Sequence, residues 1–169
     1  MKQTHINKLL WILLIFFITS SFVSSAQNTV SIYSSSSISL DLTSPFIAGA
    51  AVSNVSVNTS WLNYNIVHTP PEPTFSITVE ISTGTVPDGL ELRIEAGTYT
   101  GPGGEQSGTP TGELVITNSP QILVNNIGTC NSGSGPDFGH QLTYSFIITN
   151  YSQLSASSGT INVLYTIIQ

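Results

Sequence analysis

From residue 27 onward apolar and polar residues alternate with a period of two in one stretch after another. A chain patterned this way can bury one coherent face only as β-strands. Phe75, Ile77, Val79 and Ile81 alternate with Ser76, Thr78, Glu80 and Ser82. Leu90, Leu92, Ile94 and Ala96 alternate with Glu91, Arg93 and Glu95. Each set reads as a strand with one wet face, and the segment between them, Thr83-Gly84-Thr85-Val86-Pro87-Asp88-Gly89, is dense in turn formers. The same pattern predicts strands over 52–57, 60–68, 113–117, 121–127, 141–149 and 160–168. The connections fall at Thr69 to Pro73, at Gly101-Pro102-Gly103-Gly104, and in a long loop from Asn131 to Gly139. No segment carries a helical stripe of ten or more residues, and no internal repeat suggests a propeller or solenoid.

Many short strands without helices predict an all-β fold, a single antiparallel immunoglobulin-like β-sandwich spanning residues 27–169. Two stretches depart from plain alternation. Val30, Ile32, Ser34, Ser36, Ile38, Leu40 and Leu42 share one face, a register held well beyond the usual five or six residues. Residues 27–43 therefore read either as a first strand that bends near Ser34–Ser37 and crosses between sheets, or as an exchangeable strand that completes a neighbouring subunit's sheet. Near the other end Ile161, Val163, Tyr165 and Ile167 form one face, while Leu164 and Ile168 make the second face apolar too. A strand apolar on both faces is expected centrally in its sheet, or covered by a partner.

Residues 1–26 read as a cleavable secretory signal peptide. Lys2 and Lys8 precede an apolar run from Leu9 to Ile18, and Ser24-Ser25-Ala26 supplies the small residues before the cut. The run is too short for a spanning helix, which needs about 20 apolar residues, so no membrane insertion is expected after cleavage. Export leaves Arg93 as the only Lys or Arg, against nine carboxylates, a net charge of −8. Nucleic acid and anionic membrane surfaces are excluded as partners on that balance. Solubility then rests on Ser, Thr and Asn, a surface on which chains pack together with little desolvation of charge.

No catalytic, cofactor or metal constellation is visible. Cys130 is the only cysteine, so no intrachain disulfide forms, and it reads as a partly buried passenger. His140 follows it across the loop, but thiolate activation needs an electropositive setting that this chain lacks. Asp137 alone makes a poor calcium site, and Glu91 and Glu95 are ordinary wet-face carboxylates. The pattern predicts a non-enzyme. In 61–68, Trp61 shares a face with Asn63 and Asn65, while Leu62, Tyr64 and Ile66 take the other. Trp beside Asn is the chemistry that stacks a sugar ring and bonds its hydroxyls, so Trp61, Asn63 and Asn65 form a candidate glycan platform. The competing expectation is that Trp61 caps the core at a strand's start.

Gly139-His140-Gln141-Leu142-Thr143-Tyr144 opens one strand, and Ser158-Gly159-Thr160-Ile161-Asn162-Val163-Leu164-Tyr165-Thr166-Ile167 forms a Gly-containing turn followed by another with a Val-x-Tyr pattern. With the alternating N-terminal extension, these residues resemble the exported pilin-like proteins of bacteria, including the spore-coat-U and fimbrial subunit group. The chain departs from that group in lacking the cysteine pair that many members carry near their beginning. The resemblance implies subunits in which a strand of one chain completes the next. The expected function is a secreted structural or adhesive surface subunit, partnered by itself or by other surface proteins. Val30, Ile32, Ile38 and Leu40 would form the donated face, with Leu164 and Ile168 near the receiving edge. A carbohydrate-binding module is the alternative.

Overall fold

The computed structural model describes residues 27–33, 53–104, 106–154 and 159–169. The described residues form ten strands and one short 3₁₀ turn at Tyr151–Gln153. In chain order the strands are β1 (Thr29–Tyr33), β2 (Val55–Ile66), β3 (Phe75–Thr83), β4 (Leu90–Thr100) and β5 (Ser107–Pro110). They continue as β6 (Leu114–Val115), β7 (Gln121–Ile127), β8 (Cys130–Asn131), β9 (Gly139–Ile148) and β10 (Asn162–Ile168). All pair antiparallel, in two sheets. The larger runs β1-β2-β9-β4-β6 with β8 added beside β2, and the smaller runs β10-β3-β7-β5.

The alternation explains how the sheets meet. Leu62, Tyr64 and Ile66 of β2, Leu92 and Ile94 of β4, and Leu142 of β9 point inward from the larger sheet. Ile77, Val79 and Ile81 of β3 with Leu123, Val124 and Ile127 of β7 answer from the smaller one, and together they form one buried cluster. Each such side chain contributes roughly 1.5–3 kcal/mol by leaving water. Tyr144 on β9 and Tyr165 on β10 hydrogen-bond through their hydroxyls and tie the two sheets together. Burial pushes both phenols above the ordinary tyrosine value.

The segments read as separate strands over 52–57 and 60–68 are one strand, because β2 shifts register against β9 between Val57 and Ser60 and continues. The C-terminal strand is placed differently from expectation. Among the described residues β10 is not central but lies at one end of its sheet, with Leu164 and Ile168 exposed on the outer face. At the end of the other sheet lies β1, and the two terminal strands touch. Val30 and Ile32 pack against the chain's own core. Ile38 and Leu40 lie outside the described residues. Among the described residues no helix is long and apolar enough to cross a membrane.

Candidate functional site

The outer face of the larger sheet has two halves of different chemistry. On β4, and at Glu113 just before β6, it is charged. Arg93 donates to Glu91 through Nε and Nη2 and to Glu113 through Nη1, the closest contacts being 2.8 Å. These bonds hold the guanidinium above its ordinary pKa. On β1, β2 and β8 the same face is neutral, and register places its residues in three rows. Thr29, Asn65 and Asn131 stand side by side, then Ser31 beside Asn63, then Tyr33, Trp61 and Gln141. Trp61 thus sits on the outward face, half-buried, while Leu62, Tyr64 and Ile66 take the core face.

The loop from Asn131 to Gly139 organises this half. β2 pairs with β9 as far as Leu62 and with β8 from Asn65, so its neighbour leaves the sheet between those points. The gap is closed by polar contacts. Ser132 N donates to Tyr64 O at 2.9 Å, and Tyr64 N donates to Ser132 Oγ at 2.9 Å. Asn63 Nδ2 donates to Phe138 O at 2.6 Å, and Gly135 N donates to Asn63 Oδ1 at 2.9 Å. Thr100 Oγ1 donates to the Asp137 carbonyl at 3.0 Å and secures the far side. The loop then stands as a wall beside β2, and a groove of about 300 Å³ opens between it and β1. Thr29, Ser31, Asn63, Asn65, Asn131 and Ser134 contribute to its lining.

The three residues of the sequence-predicted platform therefore have different places. Asn65 is exposed at the groove and Trp61 is half-buried beyond it. Asn63 is only 2% exposed and both ends of its amide are engaged by the loop, so it builds the wall rather than offering a free bonding group. Tyr33, directly across from Trp61 and 48% exposed, is the residue that pattern reading missed. Its signal was present in the outward register of Ser31 and Tyr33, but strand pairing was needed to bring it beside Trp61. The strand-exchange residues divide as well. Val30 and Ile32 are on β1, with Leu164 and Ile168 on β10.

Beneath the sheet lies a buried polar cluster. His140, fully buried, places Nδ1 2.8 Å from the Gly97 carbonyl and Nε2 3.0 Å from Tyr64 Oη. Tyr64 Oη also donates to the Ser107 carbonyl. Cys130 is buried and free, and its Sγ lies 3.6 Å from Tyr99 Oη. The sulfur bonds to Tyr99 and the imidazole to Tyr64 and Gly97, and no hydrogen bond joins Cys130 to His140. His68 is placed elsewhere, with Nε2 2.8 Å from the Glu72 carbonyl. Among the described residues no three of His, Cys, Asp or Glu converge as metal ligands.

Desolvation holds the His140 pKa below its ordinary value, although the carbonyls of Gly97 and Ser107 favour the charged ring. The rings of Tyr64 and Tyr99 face it, and burial pushes both of these phenols up. Below the unfolded histidine value near 6.5, the unfolded chain takes up a proton that the folded chain resists. Stability should therefore be complete above that pH and fall as pH drops toward the folded pKa, by at most about 1.4 kcal/mol per pH unit from this group. Urea denaturation between about pH 7.5 and 5 should show a falling midpoint in wild type and a flatter one in His140→Gln. Parallel curves would remove His140 as the cause.

Fold and site together define a class: an all-β protein of two antiparallel sheets, with a groove on the neutral half of one outer face. Compared with known proteins, the chain matches no family model, no curated protein and no solved structure.

Proposed function

We propose that this chain is a secreted, non-enzymatic structural or adhesive subunit of the cell surface or extracellular matrix, assembling through β-strand contacts between copies. The two-sheet fold is taken as immunoglobulin-like and the subunit as pilin-like, in keeping with the sequence resemblance. The observation that carries the reading is the state of β10. Among the described residues it ends its sheet, and from Asn162 to Ile168 it has no charged residue and no proline. Edge strands in proteins that stay apart are blunted by charges, prolines, bulges or covering segments, because an open row of N–H and C=O groups invites another strand. In its described pairing with β3 the one irregularity is a register shift at the Asn162 end. Leu164 at 45% exposure and Ile168 at 40% border the edge with apolar surface that favours pairing.

β1 adds a second route. Val30 and Ile32 already pack on their own chain, so donation of this strand would be an exchange between copies rather than the filling of a vacant place. Among the described residues nothing pairs with the outer edge of β10, so contact there needs no exchange.

Light scattering over a concentration series, with negative-stain microscopy, tests the reading on the exported protein. Wild type should form defined oligomers or filaments. The double variant Leu164→Lys/Ile168→Lys should associate at least tenfold more weakly with little change in melting temperature, since both side chains are solvent-facing. A clean monomer at every concentration, or a variant that assembles as wild type does, would overturn it.

A further inference from the structure

We propose that the groove beside Asn65, with the Tyr33–Trp61 pair beyond it, binds a short uncharged oligosaccharide. This goes beyond assembly through β10 and does not rest on it, since the two surfaces belong to different sheets.

The shape comes first. The groove of about 300 Å³ is walled by the loop at Asn131, Gly133 and Ser134, floored by β2, and closed on the other side by Thr29 and Ser31 of β1. Trp61 and Tyr33 stand outside this lining, further along the same two strands. From Asn65 to Trp61 is four residues, about 13 Å at the ordinary strand rise, which suits a few linked sugar rings.

The chemistry of the lining comes second. A sugar presents hydroxyls at its rim and a C–H-rich face, so its site needs short neutral donors and acceptors next to a flat apolar surface. Thr29, Ser31, Asn65 and Ser134 supply the former, and no other described residue engages their side chains. Hydroxyls and amides both donate and accept, which matches a ligand whose every hydroxyl does the same. Tyr33 and Trp61 supply the latter, side by side on one row. Their rings are large and stiff, and their polar tips tolerate a wet site.

Charge decides the class of ligand. Among the described residues no Asp, Glu, Lys, Arg or His lines the groove. Arg93, the only described cation of the Lys or Arg type, stands on β4 and is bound to Glu91 and Glu113. An acidic glycan or a phosphorylated ligand would lose water on entry and meet no opposite charge in return. A neutral one loses only hydrogen bonds that the lining restores.

The test uses the exported protein against immobilised cello-, xylo-, manno- and chito-oligosaccharides, with polygalacturonate as the acidic comparison. At least one neutral series should be retained and the acidic polymer should not. Trp61→Ala and Tyr33→Ala should each weaken retention tenfold or more with melting temperature held, and Asn65→Ala several-fold. Glu95→Gln, on the charged half of the face, should bind as wild type does. Tyr33→Ala keeps the test decisive if Trp61→Ala fails to fold, because the Tyr33 side chain is itself largely exposed. The Leu164→Lys/Ile168→Lys variant should retain the glycan even where it no longer assembles, which separates this site from the assembly surface. No retention of any neutral series, retention of the acidic polymer alone, or unchanged binding in both aromatic variants would overturn the proposal.

Discussion

Gly139→Ala is expected to leave little or no stably folded protein. Gly139 ends the loop and opens β9 with φ at 76°, a conformation that costs an ordinary L-residue about 1–2 kcal/mol. A methyl group there would be driven into the backbone of Leu62, its nearest neighbours being the carbonyl oxygen and carbon of that residue. Neither can yield, because Leu62 is fully buried and paired with His140 in the centre of the sheet. Strain and backbone displacement together should exceed about 4 kcal/mol, a large part of the 5–15 kcal/mol that holds a typical domain. Gly112→Ala provides the comparison. Gly112 also has a positive φ, 93°, but nothing lies within 4 Å of an added Cβ. It should lose only the conformational share, about 1–2 kcal/mol. Thermal denaturation should show a cooperative transition for Gly112→Ala and none, or a strongly lowered one, for Gly139→Ala. Similar losses would mean that the backbone at Leu62 moves aside.

Asn63→Ala should be the most damaging polar substitution in the groove. The change removes the donor to Phe138 O and the acceptor for Gly135 N at a site nearly closed to water. Each buried backbone group left without a partner costs about 1–3 kcal/mol, so the combined loss should be about 3 kcal/mol. The melting temperature should fall by roughly 10 °C. Because the amide fixes the loop from beneath, limited proteolysis should also cut between residues 132 and 138 sooner than in wild type. Glycan retention should drop with it, since the loop is one wall of the groove. Unchanged proteolysis would show that Ser132 and Thr100 suffice to seat the loop.

These two residues show where pattern reading stops. The alternation placed Asn63 on the polar face with Trp61 and Asn65, and the face assignment holds. What covers that face is a loop about seventy residues further along the chain, and nothing local to β2 announces it. The same holds for β10. Apolar residues on both sides suggest a central strand, but position in a sheet is set by which segments pair, and among the described residues β10 finds only β3. β5 and β8 were not foreseen because Ser107–Pro110 and Cys130–Asn131 carry no apolar alternation; their pairing with β7 and β2 makes them strands. The shift at Val57–Ser60 looked like a break between two strands because a bulge and a turn interrupt the period alike.

The sequence by itself determined the strand-forming segments and their inward faces, from Leu62, Tyr64 and Ile66 on β2 to Leu92 and Ile94 on β4. Side chains in a strand alternate between faces whatever the partner, so these properties are local. It also determined the scarcity of positive charge, which composition alone fixes. Tertiary structure decided the strand order, the place of β10 at the end of its sheet among the described residues, the burial of Asn63 and the meeting of Tyr33 with Trp61. Each depends on contacts between distant segments, and such contacts are selected by the packing of the whole core rather than by the pattern of any one strand.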